Sequence, residues 1–408
     1  MTLIDRPAYL EKLIRQKDKD IIKVITGVRR CGKSVLLFDI FYRYLLECGI
    51  DDSHIIKINL ENKENESLRN ADSLYRHILE KITDNPSDQK YYVMIDEIQY
   101  VDGFEDLVNS LKNRKCDVYI TGSNSKLLSK DISTALRGRS IEIHVFTLSF
   151  REYYSYVGGD KRDALNQYLL YGGFPYAATE PDPSDKIDYL KMLGNTIAVK
   201  DIIERHNIRN EDAFIAVYDF VCSAIGSVIS PKKISDTLKS NGHKTISPET
   251  VGNYMTYLCD SFLFRKVCRY DVRGRQYLKT LYKFYASDIG LRNAELNFRQ
   301  IEPTHALENI IYIELVRRGY MVDIGKNNDK EIDFVASDTK NTYYIQSAYS
   351  ITDPAKKEQE IRSFRHLDDG YKKIIITMDD DPFTHIGNGY KKINILDFLL
   401  DEKSLETI

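Results

Sequence analysis

The chain has 408 residues, 42% of them hydrophobic and 29% charged, with a formal net charge of −3. That length suggests roughly two to four domains, each able to build a core, and the near-neutral charge excludes a protein that coats nucleic acid with its whole surface. No uncharged apolar run approaches ~18 residues and the first segment lacks an apolar signal core, so a cytoplasmic protein with no membrane contact is expected. Six cysteines at 31, 48, 116, 222, 259 and 268 show no CxxC pairing and read as free thiols.

The first patterned stretch, IIKVITGVRRCGKSVLLFDIFYRYLLECG, reads as a β-branched strand over 21–26, a loop, and a helix ending before Gly49. Its loop fits G-x-x-x-x-G-K-[ST], which makes Gly27, Val28, Arg29, Arg30, Cys31, Gly32, Lys33, Ser34 and Val35 the expected nucleotide cradle. Gly27 and Gly32 permit turns that aim backbone N–H groups at phosphate oxygens. Lys33 is placed to reach the β- and γ-phosphates of ATP, and the Ser34 hydroxyl to ligate Mg²⁺.

A second strand is expected at 54–62 and a third at 91–101, where YYVMIDEIQYV carries Asp96 and Glu97. At the end of such a strand Asp96 would hold Mg²⁺ and Glu97 would polarise the attacking water. The next strand, within 116–128, ends in Ser123 and Asn124, suited to orient a γ-phosphate or the lytic water. In LRGRS, Arg137 and Arg139 flank Gly138, and either guanidinium is a candidate to stabilise phosphate charge, in cis or from a neighbouring subunit. Alternating strands and helices imply a parallel sheet with nucleotide at its carboxyl edge.

Together GVRRCGKS, the Asp-Glu strand, ITGSNS, LRGRS and LSFREYY resemble prokaryotic AAA-type P-loop ATPases that carry a conserved carboxyl-terminal domain of unknown function. The resemblance runs along the whole chain. It implies ATP and Mg²⁺ as ligands, an arginine of LRGRS in nucleotide sensing or as a finger, and homo-oligomer formation. It also implies that YGGFP (171–175) belongs to a small helical subdomain over the nucleotide. The fold class is therefore α/β. A P-loop ATPase core (1–148) is followed by a helical lid (149–211), a winged helix-turn-helix (212–285) and an α/β domain (286–408).

Within the third segment, Ser230-Pro231 and Ser247-Pro248 each open a helix, and two strands follow across DVRGRQ. Between Val228 and Lys283 there are 11 Lys and Arg against 4 Asp and Glu, a basic island in an acidic chain. That is the footprint of phosphate contacts with DNA. Thr250, Asn253, Thr256 and Tyr257 face away from the apolar stripe of the second helix, and Arg273 and Arg275 lie at the wing tip.

The last segment reads as αβββαβ: HALENIIYIELVRRG, MVDIGK, EIDFVA, YYIQSAYS, AKKEQEIRSFRHL and KKIIITMD. That order resembles the restriction-endonuclease-like core, and Glu308, Asp333 and Gln346 match its metal-binding positions. The position of its lysine falls on Ala348, so the resemblance implies a degenerate site. Three functions are compatible with these residues: an ATP-driven switch that binds DNA, an ATP-dependent nuclease working through Glu308, Asp333 and Gln346, and a nucleotide-gated protein-interaction regulator.

Overall fold

The computed structural model describes residues 3–84, 89–114, 116–124, 136, 138–243, 245–299, 302–367, 369–381 and 384–407. Two compact units emerge, Met1–Thr147 with Asp260–Phe262, and Leu148–Cys259 with Leu263–Ile408. The break at 147/148 falls one residue from the expected 148/149. The positions 211/212 and 285/286 lie inside the second unit.

The first unit is built on five parallel strands: β1 (Ile22–Thr26), β2 (Ile55–Asn59), β3 (Tyr92–Asp96), β4 (Asp117–Gly122) and β5 (Ser140–His144), in the order β2-β3-β4-β1-β5. Strands β1, β3 and β4 are buried at every position, which is why they read as nearly continuous Val/Ile runs. One face packs Val24, Ile58, Val93, Ile95, Val118 and Ile120 against Val108 and Leu111 of helix Phe104–Asn113. Because β4 lies between β1 and β3, its carboxyl end separates the P-loop from the Asp-Glu pair. All three termini open at one edge, with Thr26 beside Gly122 and Ile120 beside Ile95.

In the second unit the expected helical stretch is present as Phe150–Val157, Lys161–Tyr171, Pro175–Thr179 and Pro183–Asn195. Ser149 opens the first of these through a capping box, its hydroxyl accepting from Glu152 N while Glu152 Oε2 accepts from Ser149 N. The YGGFP turn has a structural explanation in this unit. A Cβ on Gly172 would stand 2.0 Å from Asp288 Oδ1, and one on Gly173 would stand 2.3 Å from the Leu148 carbonyl oxygen. Asp288 Oδ2 accepts the Gly173 N–H at 2.8 Å, and Asn293 Nδ2 donates to the Leu169 and Leu170 carbonyls.

Eight strands form one sheet in the order β13-β12-β11-β10-β9-β7-β8-β6. They are β6 (Val228–Ile229), β7 (Phe264–Asp271), β8 (Gln276–Ala286), β9 (Met321–Asn327), β10 (Lys330–Ser337), β11 (Thr342–Ala348), β12 (Lys372–Thr377) and β13 (Lys391–Asn394). The two strands expected to form a wing, β7 and β8, are thus continuous with the carboxyl-terminal strands. Arg269, Tyr270 and Asp271 of β7 pair in parallel with Ile324, Gly325 and Lys326 of β9. The helix pair is present as Pro231–Ser240 and Pro248–Asp260, and both expected caps are made: Ser230 Oγ accepts from Lys233 N, and Ser247 Oγ from Thr250 N.

Candidate functional site

The loop after β1 adopts backbone that only particular residues tolerate. Gly27 sits at φ +149°, and a Cβ there would come within 2.2 Å of the Val145 carbonyl oxygen. Gly32 has φ +102° and hands over to a helix whose first residue is Lys33. That helix runs to Glu47, with a wide π-helical turn over Leu36–Phe41. The Lys33 ammonium lies back over the loop, donating to the Gly27 and Val28 carbonyls at 3.1 and 3.2 Å, and is 3.8 Å from Glu97 Oε1.

Ser34, Asp96 and Glu97 come together across the end of β4. Asp96, only 1% exposed, accepts from Ser34 Oγ at 2.7 Å and from Thr121 Oγ1 at 2.5 Å. Burial pushes its pKa up and the neighbouring Glu97 charge adds to this, against the pull of the Thr121 and Ser34 hydroxyls and Lys33. Glu97 is held at φ +55°, its N–H donating to Thr121 Oγ1 at 3.0 Å. Its Oε2 accepts from Ser123 Oγ at 3.2 Å and from Gln99 Nε2. Asn124, two residues past the end of β4, is buried. The Ser34 hydroxyl and the Asp96 carboxylate are hard oxygen donors on one side of the loop, the set that Mg²⁺ takes, so these residues fit that ion.

Two residues that sequence reading passes over brace this site. Arg6, 4% exposed, donates to the Cys31 carbonyl at 3.2 Å and to the Phe146 carbonyl at 2.9 Å. It thereby ties the P-loop to the segment after β5. Thr121 bridges Asp96 and the Glu97 backbone from β4. The Thr-Gly before the Ser-Asn pair was a visible signal for Thr121. Arg6 has none, because its partners are backbone carbonyls remote in sequence.

The expected arginines fare differently. Arg137 lies outside the described residues. Arg139 is exposed, and its carbonyl accepts from Ile22 N at the beginning of β1. It therefore stands at the amino edge of the sheet, a whole strand length (~16 Å) from the P-loop. The in-cis role expected for Arg139 is corrected accordingly.

In the second unit Glu308, Asp333 and Gln346 do converge, and an unexpected residue joins them. Lys283 of β8, 3% exposed, donates to Glu308 Oε1 at 2.9 Å and lies 2.7 Å from Glu331 Oε1. Tyr285 OH donates to the same Glu308 oxygen at 2.6 Å. Asp333 is set by a bulge of β10 between Ile332 and Val335, opposite Gly325, where a Cβ would stand 2.9 Å from Ile332 Cβ. Its Oδ2 accepts from Ser347 N at 2.8 Å, while its own N–H donates to Gln346 Oε1 at 3.2 Å. Burial and then the Glu308 charge raise the Asp333 pKa well above the carboxylate range, outweighing Lys283 and the Ser347 N–H. Burial opposes charge on Lys283, but Glu308, Asp333 and Glu331 overcome it and hold its pKa above the usual value. Among the described residues, no three His, Cys, Asp or Glu side chains are grouped so as to hold a metal ion.

The basic island is correspondingly thinner than its count. Lys283 is consumed internally, and Arg273 donates to Asn327 Oδ1 at 2.9 Å and to the His366 carbonyl at 3.2 Å. Lys232, Lys233, Lys239, Lys266, Arg273 and Arg275 are exposed. Of the four groove candidates, Thr250 bonds Ser247 in the cap, Thr256 bonds back to the Gly252 carbonyl, and Tyr257 stacks on His206. Asn253 is exposed on the same helix.

A glycine-bounded P-loop, a strand-end Asp-Glu pair and an intervening parallel strand define a nucleotide-binding P-loop domain, and a sequence model described as an AAA domain matches residues 19–154. A second model, a domain of unknown function (DUF8612), matches 162–302 and so spans the helical stretch after Phe150–Val157, the helix pair and β6–β8 together. The chain is 39% identical over 382 residues to an uncharacterized protein of Haemophilus influenzae, covering 92% of this chain and 93% of that one. It is 31% identical over 398 residues to an uncharacterized protein of Methanocaldococcus jannaschii, covering 91% and 84%. The chain belongs to the family of these full-length relatives. A weaker likeness is to the Aeropyrum pernix ORC1 protein solved in complex with DNA (12% identity, TM-score 0.27, 72% of this chain and 93% of that chain). The CDC6P protein of Pyrobaculum aerophilum is similar at 10% identity, TM-score 0.31 and coverages of 76% and 95%. At these scores neither likeness bears on fold or function. No helix among the described residues is long and apolar enough to cross a membrane.

Proposed function

We propose that this AAA-type protein binds and hydrolyses ATP with Mg²⁺ in its first unit and uses the cycle to switch a DNA-binding second unit. The observation that carries the reading is the convergence of Lys33, Ser34, Asp96 and Glu97 at one sheet edge. Backbone N–H groups between Gly27 and Ser34 cradle the phosphates, and Lys33 leaves its carbonyl partners to meet the β- and γ-phosphates. Ser34 and Asp96 would hold Mg²⁺, which would supply charge neutralisation on the transferring phosphate. Glu97 orients and polarises the attacking water, with Ser123 fixing its carboxylate, and Asn124 helps to orient that water or the γ-phosphate. Arg139 meets nucleotide only from a neighbouring copy, which ties its role to homo-oligomer formation. The test is turnover: Lys33→Ala should abolish tight ATP binding and phosphate release, and normal hydrolysis in that variant refutes the assignment.

Arg6→Ala is expected to weaken ATP binding about tenfold, ~1.4 kcal/mol. The guanidinium touches loop carbonyls rather than ligand, so turnover at saturating ATP should change far less. Titration with a fluorescent ATP analogue beside steady-state kinetics separates the two effects, and an unchanged affinity removes Arg6 from the site.

For the second unit, the two capped helices and the strands β7–β8 support a winged helix-turn-helix, and the order from helix Pro303–Arg317 to β12 supports a restriction-endonuclease-like fold. The exposed Lys232, Lys233, Lys239, Lys266 and Arg275 favour phosphate contacts over base reading. About five such contacts predict a loss of DNA affinity on the order of 500-fold between 50 and 200 mM salt. A flat salt response would instead favour the protein-interaction reading, to which Thr250, Thr256 and Tyr257 lend support through their internal contacts. Glu308, Asp333 and Gln346 support an inherited nuclease scaffold that does not cleave.

A further inference from the structure

A divalent ion at a nuclease-like site needs carboxylate and amide oxygens left open to it. Here one oxygen of each candidate side chain already takes a protein donor, and for two of the carboxylates that donor is a buried ammonium. Glu308 Oε1 takes the Lys283 ammonium at 2.9 Å and the Tyr285 hydroxyl at 2.6 Å, and Glu331 Oε1 takes the same ammonium at 2.7 Å. Asp333 Oδ2 takes the Ser347 N–H at 2.8 Å, and Gln346 Oε1 takes the Asp333 N–H at 3.2 Å. Lys283 itself is buried at the centre, and its strand lies outside the segment in which a nuclease-like core would be sought.

We propose that the Lys283 ammonium stands where a nuclease of this fold would bind its metal ion, which makes the carboxylate cluster a metal-free ionic joint between β8, helix Pro303–Arg317 and β10. The residues thus do not fit a divalent ion. Where the nuclease-like pattern carries a lysine this chain has Ala348, and a lysine from another strand, Lys283, neutralises the carboxylates. This inference rests on reading Glu308, Asp333 and Gln346 as remnants of a nuclease-like set.

Mn²⁺ binding to the full chain without nucleotide, followed by electron paramagnetic resonance of the free ion, tests it. Wild type and Asp333→Asn should bind the same number of ions. Lys283→Met should bind one more, and that ion should disappear in the Lys283→Met, Asp333→Asn double variant. A wild type that holds one ion more than Asp333→Asn overturns the proposal, as does folded Lys283→Met with no added ion at millimolar Mn²⁺. Should Lys283→Met fail to fold, the comparison of wild type with Asp333→Asn decides alone, because a metal held by Asp333 beside Lys283 is what the proposal denies. The readout uses neither ATP nor DNA. Loss of the DNA-switch reading through an absent salt dependence would therefore leave this result intact, and the reverse also holds.

Discussion

Glu97→Gln is expected to keep ATP binding while slowing turnover by roughly 10²- to 10⁴-fold, the range for removing a positioned general base. The exchange is nearly isosteric, so the Ser123 hydroxyl and Thr121 contacts that fix residue 97 can persist. What disappears is the carboxylate charge that faces Lys33 and would draw a proton from water. The backbone at φ +55° matters here, since an uncommon conformation for a non-glycine residue is retained only where its surroundings enforce it. Equilibrium binding of labelled ATP beside phosphate-release rates checks both halves. Turnover at the wild-type rate would remove Glu97 from the chemistry, and loss of binding would make it structural.

The second large effect concerns stability. Lys283→Ala leaves the buried Glu308 and the partly exposed Glu331 without their shared cation. Removing one partner of such a cluster costs ~3–5 kcal/mol. Chemical denaturation monitored on the second unit should show it as a lower midpoint at unchanged slope. Arg162→Ala is the control: its pair with Asp380 is 43% and 69% exposed, and exposed pairs contribute about 1 kcal/mol or less. A Lys283→Ala loss no larger than the control would show that solvent reaches the cluster.

Local patterns carried much of this architecture. The P-loop glycines, the β-branched strand before them and the Asp-Glu strand are signals confined to short windows, and the structure gathers those residues at one sheet edge. The serine-proline helix starts and the strands from Met321 to Thr377 also follow from local patterning. What escaped depends on partners far apart in sequence. Lys283 sits in QYLKTLYKFYA, where an isolated lysine in a strand reads as solvent-facing, yet its partner Glu308 lies 25 residues away on a helix and Glu331 on β10. It was counted as part of a basic surface that it does not join. Arg139 misled through proximity to Gly138, because only the pairing of β5 with β1 reveals which end of the sheet it occupies. Strand β13 is four residues long and follows a Gly/Asn-rich stretch, too short to declare a period.

The unbroken sheet of the second unit also decides how the chain can be dissected. A fragment ending at 285 would strip β7 of its partner β9 and present Arg269–Asp271 as an open edge, inviting association with another copy. A fragment beginning at 286 would carry Glu308, Glu331 and Asp333 but leave their lysine behind. The smallest excised piece that preserves the helix pair with its sheet therefore begins near 148 and runs to the end of the last strand and helix. Expression of 212–285 alone should yield aggregate rather than a small binding domain.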